Sequence, residues 1–171
     1  MNLARFIRDV PDFPVKGILF KDITTLLKNP EAMRATIDEM IAFARPKDVE
    51  MVVGIESRGF IFGVPMAYQL GCGFAPVRKP GKLPAEKISE SYTLEYGTNT
   101  LELHVDAVEK GQRVLVVDDL LATGGTALAT CKLVERLGGE VVGVAFAIEL
   151  NFLHGRQKLD GYDVYSVMQF D

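Results

Sequence analysis

The chain has 171 residues, of which 48% are hydrophobic and 25% charged, with a formal net charge of −4 and a sequence pI near 5.3. That length and apolar content fit one compact domain with a sizeable core, while scattered Lys and Arg on an acidic background exclude the basic footprint of a nucleic-acid binder. No apolar run approaches the ~20 residues that cross a bilayer, the N-terminus has no secretory apolar region or small-residue cleavage site, and Cys72 and Cys131 lack metal-ligand spacing. The expectations are a cytoplasmic protein, no membrane partner and two core thiols.

Residues 1–10 set Leu3, Phe6, Ile7 and Val10 against Arg5, Arg8 and Asp9, which predicts a short amphipathic helix broken by Pro11 and Pro14. Residues 12–21, DFPVKGILFK, are irregular and bring Phe13, Leu19 and Phe20 close together. Such a segment packs on the main body as a hydrophobic cap, or on a flat ligand whose face a ring stacks while neighbouring main-chain groups read its edge. A helix is predicted over 30–45, with Met33, Ile37, Met40, Ile41 and Ala44 on one face and proline at an early position.

A buried strand at 51–55 runs into Glu56-Ser57-Arg58-Gly59 and an apolar helix over 60–70. Ser57 is available as a helix cap. Arg58 is either a surface arginine or, at the carboxyl end of a strand, a fork that binds two oxygens of a pyrophosphate. After a short strand at 74–77, residues 78–87 read RKPGKLPAEK, with four basic residues, two prolines, one glycine and no regular period. This is a solvated loop or a flexible lid whose charge suits closure over phosphate oxygens.

Residues 91–104 alternate Tyr92, Leu94 and Tyr96, then Leu101 and Leu103, which predicts a hairpin turning at 97–99 and leaves Glu95 as an exposed strand residue. A helix over 127–137 repeats Leu128, Cys131, Val134 and Leu137 and ends at Gly138-Gly139, and further strands are predicted at 141–148 and 164–168. Residues 151–158 are polar and basic, and neither His104 nor His154 is given a role. Strands that alternate with helices predict an α/β chain with a mainly parallel twisted sheet flanked by helices, and no internal repeat or low-complexity segment competes with that reading.

The chemistry concentrates in residues 114–128, VLVVDDLLATGGTAL. A buried strand over 114–117 leads through Asp118 and Asp119 into a glycine turn and a helix, and in open α/β sheets the ligand crevice lies at such carboxyl ends. Gly124 and Gly125 let the backbone turn its N–H groups to an anion, Thr123 and Thr126 add hydroxyls, and the helix presents its positive end, which together make a phosphate cradle. It is not a Walker loop, since the GxxxxGK[ST] spacing is absent. Two carboxylates repel phosphate, so Asp118 and Asp119 instead accept hydrogen bonds from vicinal hydroxyls or face a hydrated Mg²⁺; an acidic turn capping a helix is the plainer alternative. Phosphate, diol and metal together describe a ribose 5-phosphate.

That stretch resembles the phosphoribosyl-pyrophosphate (PRPP) motif of the type I phosphoribosyltransferases: a hydrophobic strand, an acidic pair, then a small residue, Thr, Gly, Gly and Thr. It names the donor and leaves the acceptor base open. Three further motifs resemble the family's adenine-specific members: Pro11-Asp12-Phe13-Pro14 with residues 17–24, ESRGF at 56–60, and SYTLEYG at 91–97. Together they follow the family's order from Pro11 to the C-terminal strand.

The resemblance implies the type I phosphoribosyltransferase fold as one domain over 1–171, with a base-binding hood in 1–28 and a lid loop and hairpin in 78–104. It implies purine salvage, by transfer of the 5-phosphoribosyl group from PRPP to adenine to give AMP and pyrophosphate. Mg²⁺ is required, bound through PRPP and water and not directly by the protein, and the assembly is a homodimer. Ribose and 5′-phosphate fall to Asp118, Asp119, Ala122, Thr123, Gly124, Gly125 and Thr126, and pyrophosphate to Glu56, Ser57, Arg58, Arg78, Lys79 and Lys82. Adenine falls to the main chain of Leu19 and Lys21, the ring of Phe20 and the closing Tyr96, with Arg58 and Glu95 catalytic and Glu95 managing the N9 proton. Many members carry Arg where this chain has Lys21 and Pro where it has Lys16; main-chain recognition survives the change at position 21. Two alternatives are a transferase for another base and a PRPP-binding sensor without catalysis.

Overall fold

The computed structural model describes residues 1–94 and 96–171, and the chain divides into two compact units, Met1–Glu39 and Met40–Asp171. In the first unit the expected helix over 1–10 shrinks to a single 3-10 turn, Leu3–Phe6. From Ile7 the backbone is extended, and strand β1 (Arg8–Pro11) pairs antiparallel with β2 (Leu19–Asp22). Tertiary pairing overrides the helical pattern because two charge pairs sit directly across the strands. Arg8 lies opposite Asp22 and Asp9 opposite Lys21, each pair with a nitrogen–oxygen distance of 2.6 Å. After the one-turn helix α1 (Thr24–Leu27) comes α2 (Pro30–Ala44), where Asn29 Oδ1 accepts the N–H of Ala32 at 2.9 Å and Pro30 takes the first helical position.

In the second unit the elements run β3 (Met51–Ile55), α3 (Gly59–Leu70), β4 (Gly73–Val77), β5 (Lys87–Leu94), β6 (Gly97–His104), β7 (Arg113–Leu121), α4 (Gly125–Arg136), β8 (Glu140–Leu150), α5 (Gly155–Lys158) and β9 (Val164–Phe170). Five of the strands form one parallel sheet in the order β4-β3-β7-β8-β9. Helix α3 packs on β3, β4 and β7, and α4 on β7 and β8. Val114, Leu115, Val116 and Val117 are fully buried, as a central strand covered on both faces must be.

Two boundaries differ from the sequence reading in ways that matter for the site. Strand β7 does not end at Val117, because β8 continues to pair with it through Asp118↔Phe146 and Leu121↔Glu149; the acidic pair therefore belongs to the strand and not to a turn. The β5–β6 hairpin begins at Lys87 and pairs Leu94 with Gly97 and Tyr92 with Asn99, so the expected turn residues 97–99 are strand. The positive φ needed to leave the turn, +104°, is taken by Gly97 at the head of β6.

Cys131 is a core thiol, raised to about 12 by burial and by the nearby Glu135 carboxylate, whereas Cys72 is only half-buried. No described helix is long and apolar enough to cross a membrane. The layer between β3 and α3 is closed by the Phe74 ring: a Cβ built on Gly54 would lie 2.6 Å from it and one on Gly63 2.8 Å. Gly54→Ala is expected to cost about 1–3 kcal/mol through overpacking. Urea unfolding checks this, and a variant midpoint equal to that of the wild type would contradict it.

Candidate functional site

The carboxyl-terminal parts of β3, β4 and β7 and the turns after β3 and β4 are cross-linked by two ion pairs. Arg58, in the turn after β3, donates from Nε to Asp119 Oδ2 on β7 at 2.6 Å. Arg78, just beyond β4, donates from Nε to Glu56 Oε1 at 2.7 Å, and the Glu56 N–H donates to the Val77 carbonyl at 2.9 Å. Gly59 permits this closeness: a Cβ there would lie 2.9 Å from Asp118 Oδ1 and 3.0 Å from the Val117 carbonyl oxygen. The cap expected from Ser57 is not formed, since α3 has Arg58 at its N-cap position without a side-chain capping bond. Ser57 is exposed, and only its carbonyl serves the helix start, accepting the Phe60 N–H at 3.2 Å.

Asp118 and Asp119 are 8% and 5% exposed. Burial, reinforced by the adjacent Asp119 carboxylate, holds the Asp118 carboxyl well above the ordinary aspartate range, and Arg58 pulls it only partly back. Asp118 Oδ1 accepts the Asp119 N–H at 2.8 Å. Such a pair favours ligands that bring hydroxyl donors or a hydrated cation.

Beyond β7, Gly124 adopts φ +89° and α4 begins at Gly125 with no side-chain capping bond, which leaves its first-turn N–H groups to an anion. Thr123 is exposed and Thr126 half-buried beside them. A cavity of about 170 Å³ opens here, lined among others by Leu94, Leu120, Ala122, Thr123, Gly124 and Thr126. Tyr92 of β5 packs on the helix start, where a Cβ on Gly125 would meet its ring at 2.8 Å.

The basic segment after β4 is tied down by a residue that the sequence reading passed over. Glu102 exchanges main-chain hydrogen bonds with Arg78 at 3.0 and 2.8 Å, and its Oε1 accepts the Gly81 N–H at 2.9 Å. It is 8% exposed although it stands between the buried Leu101 and Leu103, where strand alternation points a side chain to solvent. Its partners in that loop are far away in the chain, so no local pattern marks it. Lys79 and Lys82 are exposed on that loop.

A family model described as a phosphoribosyl transferase domain matches residues 22–169. An adenine phosphoribosyltransferase of Thermotoga sp. (strain RQ2) is 58% identical over 170 residues, covering 99% of this chain and 100% of that protein. The crystal structure of adenine phosphoribosyltransferase from Thermoanaerobacter pseudethanolicus superposes with a TM-score of 0.95 at 55% identity, covering 98% of each chain. The chain belongs to the adenine phosphoribosyltransferase family. The family's Saccharomyces cerevisiae member, solved with D-2,5-dideoxy-2,5-imino-altritol 1,6-bisphosphate and adenine, is 40% identical over 96% of each chain with a TM-score of 0.91.

Of the residues that the family motifs single out, the structure gathers Glu56, Arg58, Arg78, Asp118, Asp119 and the loop from Ala122 to Thr126 at the carboxyl end of one sheet. Leu19, Phe20 and Lys21 lie on β2 in the first unit, with Leu19 exposed, the Phe20 ring edge-to-face with Phe13 at 5.1 Å, and Lys21 paired to Asp9. Tyr96 is 88% exposed, and Glu95 lies outside the described residues.

The raised Asp118 has a consequence for stability. Its proton is held more tightly in the folded chain than in the unfolded one, so its contribution to folding is present below about pH 4 and is lost as pH rises through the folded value. Asp118→Asn removes the ionised form and is expected to raise Tm at pH 7. The gap should close on acidification; a variant Tm at or below wild type at pH 7 would contradict the assignment.

Proposed function

We propose that this chain transfers the 5-phosphoribosyl group of PRPP to adenine, releasing pyrophosphate and AMP as a step of purine salvage. The observation that carries this reading is likeness over 99% of the chain to proteins named for that activity. The geometry supplies the means. The N–H groups and hydroxyls of Ala122, Thr123, Gly124, Gly125 and Thr126 hold the 5′-phosphate, while Asp118 and Asp119 accept hydrogen bonds from the ribose diol. As the bond at the anomeric carbon breaks, charge builds on the departing pyrophosphate. Arg58, Arg78, Lys79 and Lys82 meet it, and Glu56 and Ser57 shape its seat.

Adenine is read by the main chain of Leu19 and Lys21 and stacked on Phe20, Tyr96 closes over it, and Glu95 holds or accepts the N9 proton. A buried pair of carboxylates suits Mg²⁺ held through PRPP oxygens and water, since this ion keeps much of its hydration shell. When bound, it neutralises part of the pyrophosphate charge. The working unit is one domain over residues 1–171, with 1–28 as hood and 78–104 as lid loop and hairpin, acting in the cytoplasm.

A homodimer is supported by α3, which exposes Ile61, Val64 and Tyr68 at helical spacing, an apolar stripe that a second copy would cover. A solution mass near that of one 18.8 kDa chain would overturn the dimer.

Pyrophosphate release from PRPP and Mg²⁺, with adenine, hypoxanthine, guanine, xanthine and uracil supplied singly, tests the reaction. Turnover is expected with adenine alone. A 6-oxopurine acting in its place would overturn the acceptor and keep the donor site, and silence with every base would overturn the activity. Thr126→Val is expected to weaken AMP and PRPP binding by about 1.4–2.8 kcal/mol, roughly 10- to 100-fold, with unchanged affinity counting against the cradle. Glu95→Gln should lower kcat by ~10²–10⁴-fold and leave PRPP affinity alone; the reverse pattern would remove Glu95 from proton transfer.

A further inference from the structure

The phosphate-binding loop is braced from behind by a different part of the chain. Gly124 and Gly155 meet backbone to backbone. A Cβ on Gly124 would lie 2.6 Å from the Gly155 carbonyl oxygen, and one on Gly155 would lie 2.3 Å from the Ala122 carbonyl oxygen and 3.0 Å from Leu121 Cδ1. No side chain fits between the loop and the start of α5. Yet α5 is a single turn of four residues, too short to hold its place by its own hydrogen bonds.

Its anchor is the next residue. Arg156 donates from Nε to Glu149 Oε1 at 3.0 Å and from Nη2 to Glu149 Oε2 at 2.5 Å, a bidentate fork, and from Nη1 to the Val164 carbonyl at 2.9 Å. Ser166 on β9 donates from Oγ to Glu149 Oε2 at 2.7 Å, which orients the carboxylate. Glu149 is 4% exposed, and its position on β8 pairs with Leu121, the last residue of β7 before the loop. The bidentate pairing and the Ser166 hydroxyl keep Glu149 ionised against its burial. Leu159, 1% exposed, secures the far end of α5.

We infer that Arg156, Glu149 and Ser166 are positioning residues for PRPP: they fix α5 so that the Gly155 backbone sets where the amides of the Ala122–Thr126 loop point. None of the three needs to touch a substrate. The inference rests on the reading of that loop as the 5′-phosphate cradle. A network that served folding alone would change stability and leave the ratio of substrate affinity to turnover as it was.

Two variants test it, each measured for KM of PRPP, KM of adenine, kcat, Kd of AMP and Tm. Arg156→Lys keeps the charge and loses the fork. Gly155→Ala leaves the Arg156 network intact and pushes directly on the loop, so it answers the question even where Arg156→Lys folds poorly. Both are expected to raise KM for PRPP and Kd for AMP by roughly 10- to 100-fold with kcat and adenine KM nearly unchanged, the scale of a misplaced binding group. Wild-type PRPP and AMP constants in Gly155→Ala would overturn the brace, as would an equal loss in every parameter that tracks Tm. Failure of the wild-type chain itself to bind AMP would instead overturn the cradle reading, and the brace with it.

Discussion

Two neighbouring carboxylates buried at the end of a central strand are the constraint around which the rest of this structure is arranged. Burying like charges side by side is unfavourable, and Asp118 responds with a raised affinity for its proton. The fold tolerates the pair because the β7 backbone stays hydrogen-bonded on the β8 side through Leu121, and because Arg58 reaches Asp119 across the sheet end. A chain selected for stability alone would place an amide or an apolar residue there. Keeping the acids leaves a site that gains most when a diol or a hydrated cation arrives, an exchange of stability for binding that is common at functional positions.

Around that pair the chain packs closely on itself, and glycine makes each approach possible. Gly59 lets α3 start against Asp118, Gly125 lets α4 start against Tyr92, and Gly124 meets Gly155 with nothing between them. Amides can bind an anion well only if they do not move when it arrives, so a loop held by the Gly155 backbone on one side and the Tyr92 ring on another is pre-organised for that task. The same economy shows in Glu102, which uses main-chain and carboxylate contacts to hold the head of the basic loop beside the hairpin. The basic loop is thereby rooted at one end.

Legibility in the sequence followed the range of the interaction. The run of Val114–Val117 with the hydroxyl and glycine residues after it declared a strand, a turn and a helix, because buried parallel strands and anion-binding turns have local signatures. The first ten residues misled, since Leu3, Phe6, Ile7 and Val10 fit a helical period equally well until a partner strand exists; β2 and its charge pairs decided the matter. The hairpin turn shifted for a similar reason: pairing starts at Lys87, and counting from there brings the turn ahead of Gly97. Ser57 looked like a cap by type and position, yet the turn at the carboxyl end of β3 presents its carbonyl to the helix and its side chain to solvent.

Sequence by itself therefore determined the fold class, the donor motif, the acidic pair and the alternation of sheet strands and long helices from β3 onward, because composition, periodicity and turn chemistry are properties of neighbours along the chain. Tertiary structure alone decided that Arg58 pairs with Asp119, that Glu56 holds Arg78, that Glu102 is buried, and that Gly155 and Arg156 stand behind the loop from Ala122 to Thr126. Residues 58 and 119, or 124 and 155, are far apart in the chain and carry no shared local pattern. They meet only because β3, β7 and β8 lie side by side in a parallel sheet, and parallel order delivers their carboxyl ends to one place.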